Sequence, residues 1–218
     1  MSIPTNVSWS FRYILRVRPS VLHLFTGPIH NLSVRSIRDN LRIIFPKVSW
    51  QYLVWFPGRI PKHNIIVWMA ILDRLPTRVW LLRMGLSIVD VKCLMCGIEP
   101  ECRDHMFFGC NFAKDLWGAI LALCGVYRGA CSWESELSWA TYCFKGKSLI
   151  ARVFRLAWAG HVYSIWKERN CRLYGGSARS VDALLQDIKA VIRIRLERST
   201  ICRSDECNAA LCARLDIA

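Results

Sequence analysis

Three cysteines and one histidine fall at the spacing C-x2-C-x8-H-x4-C, as Cys93, Cys96, His105 and Cys110. No other feature constrains the fold as much. Three thiols and an imidazole make a complete tetrahedral donor set for zinc, with no position left for water or substrate. Such a closed set describes a structural ion that staples chain segments together, not a hydrolytic centre. Cys102 competes for a place in it. It precedes His105 by three residues, so a helical turn puts both on one side. His105 is favoured by its spacing to Cys110, and Cys102 then packs as a small apolar residue.

The segments around these ligands read as helices. Pro61 to Leu75 has proline in its first turn, with Ile65, Trp68, Met69 and Leu72 recurring at helical steps. Thr77 caps a short helix that Gly85 stops. Gly97 follows the Cys93–Cys96 turn, where backbone amides must turn toward sulfur. Glu101 to Phe108 reads as one or two helical turns carrying His105. Asn111 caps a helix to about Leu123, with Phe112, Leu116, Ile120 and Leu123 on one stripe. Trp133–Phe144, Ser148–Leu173 and Val181–Glu197 continue the helical pattern. Before the ligands, Trp9 to Leu15 shows weak helical periodicity, and Ser33 caps a helix over Val34–Ile44. The tail from Thr200 gives no structural signal. The fold class expected is mainly α: a helical domain with a small Cys3His zinc knuckle and a C-terminal helical extension. The divisions expected are 1–47 (a basic segment), 48–124 (the zinc-binding domain), 132–199 (a helical region) and 200–218 (a tail).

Net charge is +14, from 30 Lys+Arg against 16 Asp+Glu. That surplus attracts polyanions, nucleic acid before an anionic membrane. The longest apolar run, Ile65 to Leu72, is far short of the about 20 residues that cross a bilayer. Eleven cysteines with no apolar signal core argue for a reducing, intracellular compartment, nuclear or cytoplasmic. The absence of acidic residues before Asp39 also suits a mitochondrial transit peptide. Cys202, Cys207 and Cys212 lack an evident fourth ligand and read as ordinary thiols. His63 and His161 read as surface or core histidines. Two-metal nucleases and polymerases need clustered carboxylates. The densest pairs here are Glu134/Glu136 and Asp205-Glu206, so no independent catalysis and no small-molecule substrate are expected.

Several motifs match a known pattern. They are Trp55-Phe56-Pro57-Gly58, Ile60-Pro61-Lys62, Trp68 to Thr77, Cys93-x2-Cys96, Glu101 to Cys110, and Trp117. This run resembles the zinc-binding domain of plant LINE-type (non-LTR retrotransposon) reverse transcriptases, which follows the polymerase domain in those proteins. Ile165-Trp166-Lys167-Glu168-Arg169-Asn170 is similar to a downstream signature of the same polyproteins, and Ser8 to Arg12 resembles an upstream segment. The stretch Pro28–Ser33 is shorter than in the family. The resemblance implies Cys93, Cys96, His105 and Cys110 as ligands of one structural Zn2+. It implies RNA or DNA as partner, or a polymerase domain, for a remnant without the polymerase. Candidate phosphate contacts are Lys62, Arg74, Arg78, Arg83, Lys92 and Arg103; taken singly, each is more often a residue that solvates a helix face. The alternative is a zinc-stabilised structural or protein-interaction module, docking through Trp55, Trp80 or Trp117.

Overall fold

The structure is a computed structural model. It describes residues 8–21, 35, 38–39, 46–197 and 205–217. Two compact units divide between Lys47 and Val48. In the first, helix α1 spans Trp9–Val21, with Trp9 and Tyr13 stacked at 5.5 Å. The helix expected over Val34–Ile44, the short Pro28–Ser33 stretch and Cys202 lie largely or wholly outside the described residues.

The second unit is helical. Its elements are α2 (Gln51–Val54), α3 (Pro61–Ile71), α4 (Arg78–Arg83), α5 (Asn111–Leu123), α6 (Trp133–Cys143), α7 (Leu149–Leu173), α8 (Val181–Leu196) and α9 (Glu206–Arg214). A π-helical turn, His105–Gly109, precedes α5. Among the described residues there is no strand, only an isolated antiparallel bridge between Lys92 and Pro100.

Local chemistry sets the helix starts. Thr77, Ser132, Ser148 and Ser180 each accept a backbone N–H three residues on, at the heads of α4, α6, α7 and α8. The tail, which gave no structural signal in sequence, carries a helix over Glu206–Arg214. Asp205 accepts the Cys207 N–H and caps α9, which buries Leu211 and Cys212. No described cysteine forms a disulfide.

Helix α7 is the axis of this unit. Leu149 to Trp166 is buried on nearly every face, the pattern of a helix enclosed by others. Helices α3, α8 and α9 and the π-turn pack on it. Gly160 lets α8 approach: a Cβ there would meet Ile188 Cγ2 at 3.1 Å. Around the middle of α7 lies an aromatic cluster. Phe108 sits 5.1 Å from Trp158, 5.7 Å from Trp117 and 5.2 Å from His161. All four are fully buried. Stacked and edge-on pairs of this kind add to the area they bury.

Two carboxylates, Glu136 buried and Glu134 exposed, organise the loops. Glu136 accepts from Trp117 Nε1 (3.1 Å), from Arg128 through both oxygens (2.8 Å each) and from Cys131 N (2.8 Å). Glu134 accepts from Arg103 at 3.0 Å. The Glu134/Glu136 pair is thus held by protein donors.

Candidate metal centre

Cys93 and Cys96 sit in a tight turn whose arms are tied backbone to backbone. Cys93 N donates to Glu99 O and Glu101 N to Val91 O, both at 2.7 Å. Gly97 closes the turn with φ +70°, donating to Cys93 O at 2.8 Å. Glycine meets that left-handed requirement without steric cost. Met95 N donates to Cys93 Sγ at 3.4 Å, so a backbone amide already faces sulfur.

The second half of the group depends on the π-turn. Residues five apart on a regular α-helix point about 140° away from each other. The π-turn instead closes with a Cys110 N–H to His105 O bond of 2.6 Å, and Cys110 then turns extended (φ −69°, ψ 135°). His105 and Cys110 are thereby brought to one side. The ordinary helical turn expected over Glu101–Phe108 would not do this. Cys110, not Asn111, is the N-cap of α5. Its sulfur stands at the head of α5, where its side chain makes no cap hydrogen bond. A helix N-terminus favours negative charge on that atom.

The four ligand atoms lie within 4.8 Å of one another. Cys93 Sγ to Cys110 Sγ is 4.0 Å, and Cys96 Sγ to His105 Nε2 is 3.3 Å. A tetrahedron with Zn–S bonds of about 2.3 Å has edges of about 3.8 Å, so the donor set fits zinc in chemistry and size. The Cys93–Cys110 hydrogen bond and burial raise the Cys93 pKa, while the same bond lowers that of Cys110. The pair shares a proton of the kind that metal binding displaces. Cys102 is not in this group; it lines a separate cleft with Trp80, Arg83 and Asp104.

Helix α7 holds the metal turn from behind. Glu101, fully buried, accepts from Arg169 Nη2 (2.7 Å), Arg169 Nε (3.0 Å) and Arg78 N (3.1 Å). One turn on, Arg172 donates to Glu168 Oε1 at 2.8 Å, and its Nη1 lies 3.4 Å from Met95 O and 3.5 Å from Leu94 O. A guanidinium against the knuckle carbonyls offsets the formal charge of about −1 that three thiolates and one Zn2+ carry. Sequence reasoning missed both arginines as neighbours of the turn. Their signal was the Glu-Arg-Asn segment at Glu168–Asn170, at the far end of a helix.

Residues 32–117 match the family model described as zinc-binding in reverse transcriptase. All four candidate ligand residues and Glu101 fall inside the matched segment; Arg169 and Arg172 fall outside it. The chain matches no curated protein and no solved structure.

The six candidate phosphate contacts separate in the structure. Lys62, Arg74, Arg83 and Lys92 are exposed, Arg83 lying 3.8 Å from Asp73. Arg78 and Arg103 are largely covered. Arg78 donates to Lys92 O at 2.9 Å and pairs with Asp90. Arg103 lies 4.9 Å over Trp133 and pairs with Asp104 and Glu134. These two guanidinia serve internal bonds. Of the tryptophans suggested for docking, Trp117 is fully buried, whereas Trp55 is half exposed.

Proposed function

We propose that the chain is a zinc-stabilised accessory module of a LINE-type reverse transcriptase, and that it binds a polynucleotide without doing chemistry on it. One Zn2+ would be held by Cys93, Cys96, His105 and Cys110. When bound, it supplies a closed structural crosslink between the knuckle and the head of α5. The observation that carries this reading is four ligand atoms within 4.8 Å inside a segment that matches a reverse-transcriptase zinc-binding family. The +14 charge supports a polyanionic partner, RNA or DNA. No helix among the described residues is long and apolar enough to cross a membrane.

Metal analysis of the purified protein tests the first half. About one zinc per chain is expected, lost in Cys93→Ser/Cys96→Ser and in His105→Ala but kept in Cys102→Ser. A metal-free wild type would overturn it. Filter binding across salt tests the second half. Affinity should fall steeply with salt concentration.

A second reading has its own observation. Trp55 and Trp68, half and two-fifths exposed, lie 6.3 Å apart, with exposed Ile65 on α3 and exposed Leu72 at its C-cap. An apolar ridge of this kind suits docking on a protein such as a polymerase domain. Under that reading no oligonucleotide binds even at low salt.

A further inference from the structure

The exposed cations named from sequence are scattered, but one of them stands at a cleft that sequence did not reveal. A cavity of about 270 Å³ opens between the first turn of α3, the outer side of α7, and α8. Lys62 and His63 line it from α3, Tyr163 and Lys167 from α7, and Asp187 from α8, with Arg179 just before α8. Its apolar wall is Leu184, Ile188 and Val191.

Several independent features of this cleft point to an anion. Arg179 donates to Asp187 at 2.7 Å, so the cleft's one carboxylate is already engaged. Lys62 and Lys167 in the cleft, and Arg195 outside its lining, have no carboxylate within 4.0 Å among the described residues. Their charges bear on His63: burial first, then Lys62, Arg195 and Lys167, push its pKa down to about 4. His63 is therefore neutral near pH 7. It is 5% exposed, and its Nδ1 is buried without a partner. The N-cap of α3, Ile60, offers no side-chain acceptor, so amides of that first turn are uncapped beside the two lysines.

The cleft also has an aromatic wall. His63 stacks on Tyr163 at 4.0 Å and 15°, and Lys62 Nζ lies 5.3 Å over the Tyr163 ring. A concave, part-apolar pocket just below the usual range of roughly 300–1,000 Å³ has room for one small planar unit. A duplex keeps its bases stacked inside, whereas a single strand can splay a base into a pocket. We infer that this cleft seats one nucleotide of a single-stranded polynucleotide, with its phosphate between Lys62, Lys167 and the open first turn of α3, and its base against the Tyr163 side. This inference rests on the nucleic-acid reading above and gives it a location, away from the knuckle.

The test uses the whole 218-residue chain purified with zinc and labelled 12-residue single strands of RNA and DNA, with a duplex for comparison. Lys62→Ala/Lys167→Ala should weaken single-strand binding at least about tenfold and lower the salt slope by about 1.5 to 2. Arg74→Ala/Arg83→Ala removes two exposed cations elsewhere and should cost less than about threefold. All four side chains are exposed, so zinc content and melting should stay at wild-type values. Equal losses in the two double variants, or a preference for duplex, would overturn the cleft while leaving nucleic-acid binding intact. If the wild type binds neither strand, the broader reading fails and takes the cleft with it. Photocrosslinking of a single strand to the wild type gives a readout independent of substitution. Adducts on Tyr163 or His63 support the site, and adducts confined to other elements overturn it.

Discussion

The metal turn and the aromatic centre hold the same helices together by opposite means. The turn from Cys93 to Cys110 brings its two halves together at four candidate ligand atoms and under two arginines reaching over from α7. The centre around Trp158 relies on shape and area: Phe107, Phe108, Trp117, Trp133, Ile165 and their neighbours are all buried. Removing one ligand atom should open the first arrangement. Removing one side chain from the second leaves a cavity and a graded loss. The comparison shows why a closed zinc site can be small: each contact is strong and directional, so few residues suffice.

The largest effect should therefore follow from removing the metal. Chelation, or Cys93→Ser/Cys96→Ser, should cost on the order of 5 kcal/mol and lower Tm by about 10–20 °C. Hydrogen exchange should rise across 91–110 more than in the middle of α7. Uniform exchange through both regions would mean that they do not differ as described. Next comes the centre. Trp158→Ala should destabilise by about 3–5 kcal/mol in denaturant titration while the folded fraction keeps its zinc. Loss of zinc from that folded fraction would erase the distinction.

A comparable or slightly smaller loss is expected from the joint between the two regions. Arg169→Leu leaves the Glu101 carboxylate buried beside only one backbone amide, at a cost of about 3 kcal/mol or more. The double replacement Glu101→Gln/Arg169→Leu should recover part of that loss, and no recovery would refute the pairing. The smallest effect is pH-dependent, and comparison with His161→Gln isolates the part that belongs to the centre. His161 is fully buried against Phe107 O at 2.8 Å, and burial lowers its pKa to about 4. Its folded pKa lies below the unfolded value near 6.5, so its contribution is complete above that value and fades as pH falls toward 4. Between pH 7.5 and 5.5 the wild type should lose about 1 kcal/mol more than His161→Gln does. Equal pH slopes would count against a neutral, buried imidazole.

What sequence conveyed was local. Helices α3 to α8 follow from apolar periodicity and from Thr77, Ser148 and Gly85 as punctuation. The ligand group follows from its spacing. What escaped were pairings between distant residues: Glu101 with Arg169, Glu136 with Trp117 and Arg128, Arg103 with Trp133 and Glu134. A charged residue carries no local sign that its partner lies 68 positions away. The π-turn escaped too, because His105–Gly109 has the composition of an ordinary helical turn and its wider winding is set by packing on α5 and α7. Helix α9 was overlooked because cysteines and alanines give a faint stripe, although Asp205 in front of it was a legible cap.

The Glu101–Arg169 bridge has a practical consequence for anyone trimming the gene. A fragment ending at residue 117 would retain every ligand and the whole matched motif, yet lack the helix that shields them. Its Met106, Phe107 and Phe108 would face water, and it should come out of the cell as inclusion bodies. A soluble piece should need α7 and the helices packed on it.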